Sequence, residues 1–229
     1  MKKLLVILTI LVTFSATGQN LQLHYDFERG FYMSTFEMFR IDKYGFSYAF
    51  VDFDYDAKNG ISRGHEKIVR VLKTEKMPLG LEVAYEGIVG TYEYPGGTGG
   101  FSPNTCWIFG VNYARYTPNW GFTFSPGYKK IKNVDNFNYI VNGTWYLNFF
   151  KRKLTFNGVI EFWSEEGFTD NIVFNSEPQV WFNATQNLSI GSEVKITNNR
   201  GNEKFEVRPS IALKWIFGDS FGGPKDKLE

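Results

Sequence analysis

One pattern dominates the chain between residues 21 and 217. Over stretches of about ten residues, every second side chain is apolar or aromatic, and the side chains between them are polar, charged or glycine. This two-residue period is typical of a β-strand with one apolar and one polar face. The pattern recurs about a dozen times, and outer-membrane barrels of a single chain have even strand numbers. We therefore predict an all-β fold, a transmembrane antiparallel up-and-down β-barrel of about 12 strands with lipid outside and a polar lumen.

The composition fits a barrel better than a bundle of membrane helices. Phe, Tyr and Trp make up 18% of the 229 residues, yet the mean hydropathy is slightly negative. In a barrel, the polar residues of the lumen offset the residues that face lipid in any such average. The formal net charge of +1 gives no sign of a nucleic-acid partner.

The only long apolar run of the sequence lies at residues 4–14, after two lysines and before small residues that end at Gly18. A helix of about eleven residues is too short to cross a bilayer, whereas this arrangement is typical of a signal peptide. We predict a cleaved signal peptide over residues 1–18, a barrel over residues 19–217 and a flexible C-terminal tail over residues 218–229. The alternative for the first segment is an N-terminal membrane anchor.

The connections between the predicted strands alternate in length, as the two ends of an outer-membrane barrel require, except that residues 28–30 are short for an outer loop and residues 74–78 are not especially tight. Short turns are expected at residues 42–45, 116–119, 150–153 and 184–187. Longer outer loops are expected at residues 91–104, 129–135, 164–171 and 197–204. The glycine-rich residues 96–100 are predicted to be a flexible part of the first of these loops. In a soluble β-sandwich, no such alternation of connection lengths is expected.

The phase of the strands selects the side chains that should line the lumen. Acidic side chains alternate with apolar ones on the third and fifth strands, and an arginine lies on the strand between them if Val69 and Val71 face outward. That fourth strand could also be interpreted as a helix. Two aromatic residues on polar faces are candidate platforms for stacking. The predicted lumen and solute-contact residues are Asp52, Asp54, Arg70, Glu82, Glu86, Tyr146 and Trp181.

Two interpretations of these lumen charges stay open. Such a set could form a charged constriction that selects solutes by hydrogen bonding and electric field. It could equally form a network of salt bridges that fills the barrel and closes it.

The sequence offers no catalytic constellation, metal site or cofactor motif. Only two histidines are present, His24 and His65, so a barrel enzyme of the Ser/His type would have to use one of them. Cys106 is the single cysteine, which excludes an intramolecular disulfide. Aspartates at positions 52, 54 and 56 would lie too far apart on a straight strand to converge on one calcium ion. We predict that the protein is not an enzyme and holds no metal or cofactor.

Several aromatic and acidic motifs of the first half resemble a known family. Residues 34–39 (STFEMF), residues 44–45 (YG) and residues 48–55 (YAFVDFDY), followed by Ile68, Arg70 and Leu72, are similar to the N-terminal half of Tsx-like nucleoside-specific channel-forming proteins, especially an uncharacterised exported branch. The resemblance implies a monomeric twelve-stranded outer-membrane barrel with a narrow pore. It also implies aromatic rings that stack on a base and ionisable groups that bind a sugar. Members often end on an aromatic residue, whereas here a charged tail follows Phe217.

Together these features predict a channel in the outer membrane of a Gram-negative type of cell. It would contact outer-membrane lipid and pass small polar solutes by passive diffusion, with nucleosides as candidates. The alternatives are a closed structural or ligand-binding barrel with a plugged lumen, and a membrane-embedded barrel enzyme.

Overall fold

The computed structural model describes residues 18–56, 60–74, 77–103, 105–165, 172–200 and 204–217. The predicted signal peptide, apart from Gly18, and the predicted tail lie outside the described residues. No helix in the described part of the chain is long and apolar enough to cross a membrane. The strands are β1 (Gln19–Asp26), β2 (Phe31–Asp42), β3 (Gly45–Asp56), β4 (Gly60–Leu72), β5 (Leu79–Tyr94), β6 (Gly97–Phe101), β7 (Cys106–Tyr116), β8 (Trp120–Ile131), β9 (Asn138–Phe149), β10 (Leu154–Ser164), β11 (Ile172–Ser176), β12 (Gln179–Asn183), β13 (Leu188–Asn198) and β14 (Phe205–Phe217).

The sheet closes on itself, and every pairing in it is antiparallel. The first strand pairs with the last, from Gln19 opposite Phe217 to Asp26 opposite Ser210, and it pairs with β2 on its other side. The remaining strands follow in chain order around the wall, and β9 pairs with β10. Closure gives each described strand of the wall a hydrogen-bonded neighbour on both sides.

Twelve strands form the wall, as predicted. The short strands β11 and β12 are two halves of one wall strand, because Ser176 opposite Ile160 and Gln179 opposite Asn157 keep the same register against β10. The interruption falls at Pro178, which lacks the N–H that would continue the ladder. The remaining extra strand, β6, pairs only with the end of β5.

The predicted flexible loop at residues 96–100 is wrong in part, because residues 97–101 form β6 and extend β5 as a hairpin. Aromatic rings explain how a glycine-rich segment holds this conformation. A Cβ added to Gly99 would meet the Tyr92 ring at 2.5 Å, and one added to Gly90 would meet the Phe101 ring at 2.2 Å. The cross-strand rings therefore pack directly over glycine backbone, which supports a strand that has few side chains of its own.

The two faces of the wall differ as the alternation predicts. On β1, Leu21 and Leu23 are exposed on the outside, whereas Gln22 and His24 are buried inside. Further exposed apolar and aromatic side chains continue this outer face around the barrel, among them Val83, Trp107, Phe124, Tyr139, Phe162, Ile190 and Leu213.

The interior contains an apolar cluster as well as polar groups. Val69 and Val71 of β4 face inward and belong to a cluster that continues through β5, β7, β8, β9, β10 and β11 with Ala84, Cys106, Ile108, Ile131, Ile140, Trp163 and Val173. Eight-stranded barrels are filled by side chains and 16-stranded ones hold an aqueous channel, so partial filling suits a barrel of twelve strands. The prediction that Val69 and Val71 face outward is therefore wrong, although the segment is a strand.

Candidate functional site

Asp54 lies in the lumen, towards the end of the barrel that is opposite the strand ends Gln19 and Phe217. Its carboxylate accepts a hydrogen bond from Arg29 Nη1 at 2.9 Å and lies 3.5 Å from Arg63 Nε. The same Arg29 donates from Nε to Asp26 at 2.7 Å. The carboxylate of Asp54 is therefore paired with two guanidinium groups, as a salt-bridged network requires.

Asp52 and Glu86 also face the lumen, and the structure brings them to the same imidazole. His65 Nε2 lies 3.0 Å from a Glu86 oxygen, and His65 Nδ1 lies 3.8 Å from an Asp52 oxygen. The hydroxyl of Thr35 donates to Asp52 at 2.6 Å. His65 thus links two of the predicted lumen carboxylates from its place on the strand between them.

The central cation of this network is Lys67, which the sequence prediction missed. Its Nζ donates to Glu161 Oε1 at 2.7 Å and lies 3.7 Å from Glu86 Oε2. Lys67 lies on β4 two residues after His65, so it shares the inner face of that strand. The alternation along β4 could have identified Lys67 as a lumen residue. Because Val69 and Val71 were predicted to face outward, Lys67, which shares their face, was expected outside as well.

Glu161, on β10, is held by amides of both neighbouring strands. Asn142 Nδ2 of β9 donates to Glu161 Oε1 at 2.7 Å, and Asn175 Nδ2 of β11 donates to Glu161 Oε2 at 3.3 Å. Both oxygens therefore have partners on their own wall in addition to Lys67. These amide contacts orient the carboxylate from its own wall, towards the ammonium group of Lys67.

Arg70 is not a lumen residue. It shares the outer face of β4 with Ile68 and Leu72, both about half exposed, and its guanidinium binds Asp42 at 2.8 Å and Ser47 at 3.1 Å. The physical reason is that β4 carries apolar residues on both faces. Val69 and Val71 pack inward against the apolar cluster, which turns Arg70 outward beside the β2–β3 turn.

Glu82 faces inward but lies in a different polar cluster from the other predicted acids. Its carboxylate accepts a hydrogen bond from Asn112 Nδ2 at 3.3 Å, and the same amide donates to Ser125 at 2.7 Å. All three side chains are buried.

Tyr146 faces the lumen at the barrel end that contains Gln19 and Phe217. Its hydroxyl donates to the carbonyl of Thr117 at 2.5 Å, and its ring stacks on Tyr116 with centroids 6.5 Å apart. It also covers Gly121, where an added Cβ would lie 2.4 Å from the ring. A contact with solute stays a prediction for this partly buried ring.

Trp181 has no exposed surface and does not form an open stacking platform. Lys214 Nζ lies 3.9 Å from the ring centroid, and Gly191 approaches so closely that an added Cβ would lie 2.5 Å from the ring. The indole Nε1 donates to Gln179 at 2.9 Å. The ring therefore serves as packing for the lumen side of the wall and as a cation–π partner of Lys214.

A histidine–serine pair, also missed in the sequence, lies in the lumen between β1 and β14. His24 Nδ1 is 3.1 Å from Ser210 Oγ, and His24 Nε2 is 3.0 Å from Gln22 Oε1. A catalytic nucleophile must be reached by its substrate, yet His24 and Ser210 are only 2% and 3% exposed. We therefore interpret the pair as hydrogen bonding within the lumen wall.

Carboxylates outnumber basic side chains among the described residues that face the lumen or bind its groups. The carboxylates are Asp26, Glu37, Asp52, Asp54, Glu82, Glu86, Glu161, Glu165, Glu177, Glu193 and Glu206, and the basic side chains other than histidine are Arg29, Arg63, Lys67, Lys129, Lys195, Arg200, Arg208 and Lys214. By this formal count, acidic side chains exceed basic ones by three, and an excess of fixed negative charge favours cations.

Comparisons of the sequence with known proteins give a family but no characterised relative. A family model described as "Domain of unknown function (DUF5020)" matches residues 18–217. A comparison with curated proteins gives no significant match. Neither result confirms the resemblance to Tsx-like channels.

The solved structures that are similar to the barrel include two porins. A KdgM porin is 8% identical, with 88% of this chain and 99% of that chain covered and a TM-score of 0.54. A NanC porin is 9% identical, with 86% and 98% covered and a TM-score of 0.56. At such identities the similarity shows the fold alone, which is the closed twelve-stranded antiparallel barrel of porins.

Proposed function

Because the chain belongs to the DUF5020 family, whose function is unknown, we propose a function from its own geometry: it is an outer-membrane channel for the passive diffusion of small polar solutes. Residues 1–18 act as the cleaved export signal, and residues 19–217 form the membrane-embedded barrel. The partners are outer-membrane lipid and the solute.

One observation carries this proposal, namely the closed barrel with an apolar outer face and a lumen lined by charged and amide side chains. Lipid can solvate the outer face, because closure satisfies the backbone groups of the wall. The inner face offers hydrogen-bond donors and acceptors that can replace water around a polar solute. A channel of this kind requires no catalytic group, metal or cofactor.

Nucleosides are the solute class that the sequence resemblance to Tsx-like proteins suggests. A nucleoside is uncharged and rich in hydroxyl groups, which suits a lumen of paired charges. Its base would need an aromatic face, and Tyr146 is the predicted lumen ring that retains exposed surface. We keep nucleosides as the first solutes to test.

The test is conductance in planar lipid bilayers. The refolded chain, purified in detergent and checked for the heat-sensitive migration typical of a folded barrel, should give discrete current steps in KCl. Nucleosides added to either compartment should reduce the current if they enter the lumen. Folded protein that gives no current, and that does not admit small sugars into liposomes, would refute the channel.

The burial of the lumen charges favours one second candidate, a structural or ligand-binding barrel with a closed lumen. His65, Lys67 and Asp54 are each under a tenth exposed, and each has an ion-pair partner. The same bilayer experiment separates the two candidates, because a closed barrel would insert without conducting.

A further inference from the structure

The ion pair between Lys67 and Glu161 crosses the lumen. Around the wall, four strands separate β4 from β10 on one side and six on the other, so the two strands lie almost opposite each other. Another lumen ion pair of similar chemistry, Lys195 with Glu177, joins neighbouring strands of one wall. Lys67 and Glu161 are therefore a contact between walls.

The ion pair requires the barrel to be narrow at the height of Lys67 and Glu161. Twelve strands about 4.8 Å apart and tilted by about 40° would close into a circular wall about 24 Å across. Extended lysine and glutamate side chains joined by a hydrogen bond reach at most about 14 Å between their Cα atoms. Since Nζ and Oε1 are 2.7 Å apart, the β4 and β10 walls approach each other more closely than a circular section allows.

The side chains around the ion pair leave little room beside it. The side chains of Lys67 and Glu161 are only 8% and 14% exposed, and Glu86 and His65 extend the contact along the β4–β5 wall. Asn142 and Asn175 extend it along the opposite wall. A bar of polar side chains thus runs from one wall to the other.

We propose that the Lys67–Glu161 ion pair is the constriction that limits passage through the lumen. The pair must separate, or remain to one side, whenever a solute passes between the two walls. This inference rests on the proposed channel function and names the residues that set its aperture.

Single-channel conductance of a double variant tests the constriction. In Lys67→Ala/Glu161→Ala both charges are removed together, so neither is left without its partner, and Glu86 keeps its contact with His65. We expect a conductance at least about two-fold above that of the wild type, because the bar between the walls is gone. The matched control is Lys195→Ala/Glu177→Ala, which removes a lumen ion pair from a single wall and should change conductance much less.

Four outcomes separate this inference from the proposed function. If the wild type conducts and the Lys67→Ala/Glu161→Ala variant conducts more, both are supported. If the two conduct equally, the constriction is refuted and the channel stands. If only the variant conducts, the constriction is supported and the wild-type channel is refuted, and if neither conducts, both are refuted.

A second measurement keeps the inference testable if the alanine variant does not fold. Lys67→Cys/Glu161→Gln in a Cys106→Ser background removes both charges of the pair and keeps the length of the side chain at position 161. It should react with a charged methanethiosulfonate reagent, and the added group should reduce the current. Lys195→Cys/Glu177→Gln in the same background is the control and should show a smaller block. Equal block at both positions would contradict a constriction at Lys67.

Discussion

A charge placed in the middle of the outer face is the sharpest test of where this barrel lies. Leu213 of β14 pairs with Leu23 on one side and Ile190 on the other, and all three are between 45% and 49% exposed. Leu213 lies four residues before Phe217, where β14 ends. At about 3.4 Å per residue and a tilt of about 40°, it lies about 10 Å inside the rim, near the centre of an apolar band about 25 Å tall.

We expect Leu213→Arg to lower the free energy of unfolding by about 2–4 kcal/mol in lipid, because a guanidinium near the bilayer centre is poorly solvated. Phe149→Arg is the matched control, since this side chain is 44% exposed on the same face but lies at the last residue of β9. Near the rim the cost should fall to about 0–1 kcal/mol. Leu213→Ala measures the effect on stability of losing the leucine side chain without adding a charge.

The measurement is reversible denaturant unfolding in large unilamellar vesicles, followed by tryptophan fluorescence. On the surface of a soluble protein, both arginine variants would lie within about 0.5 kcal/mol of the wild type. Equal and small effects for Leu213→Arg and Phe149→Arg would therefore refute the assignment of this face to lipid.

Three further predictions concern the lumen. Lys67→Ala alone should lower stability by about 3–5 kcal/mol, because it leaves the Glu161 carboxylate buried without its cation, and the double variant with Glu161→Ala should cost less; equal losses in vesicle unfolding would contradict this coupling. The excess of lumen carboxylates should make the channel cation-selective, so that the reversal potential in a KCl gradient has the sign for K⁺, and the opposite sign would contradict the charge balance. Gly191→Ala should destabilise the barrel by about 1–3 kcal/mol, since its Cβ would lie 2.2 Å from the Val180 oxygen, whereas Gly100→Ala, with its nearest atom at 3.8 Å, should be tolerated.

Much of the fold could be predicted from the sequence, because the alternation of residue types within a strand indicates which of its faces points outward. On β1 and over residues 51–55 of β3, apolar or aromatic residues alternate with polar or charged ones, so His24, Asp52 and Asp54 could be placed inside from local pattern alone. Counting the alternating stretches along the whole chain gives twelve strands, and the closed sheet confirms this number. The wall strand broken at Pro178 was also counted correctly, since its alternation continues through the proline.

The fourth strand could not be oriented from its sequence. It has valines on one face and Ile68 with Leu72 on the other, so two phases satisfy the two-residue period equally well. Only packing decides between them. Val69 and Val71 pack in the apolar cluster inside the barrel. Because His65 and Lys67 share their face of β4, these two side chains also face the lumen, and Arg70 faces outward.

By itself, the sequence determined the two faces of most strands, because the two-residue period is a property of neighbouring positions. Only the tertiary structure decided which lumen groups meet. Lys67 and Glu161 are 94 residues apart in the chain, and His24 and Ser210 are 186 apart. Contact between such positions depends on where the barrel closes and on how closely its opposite walls approach, and a local pattern contains neither quantity.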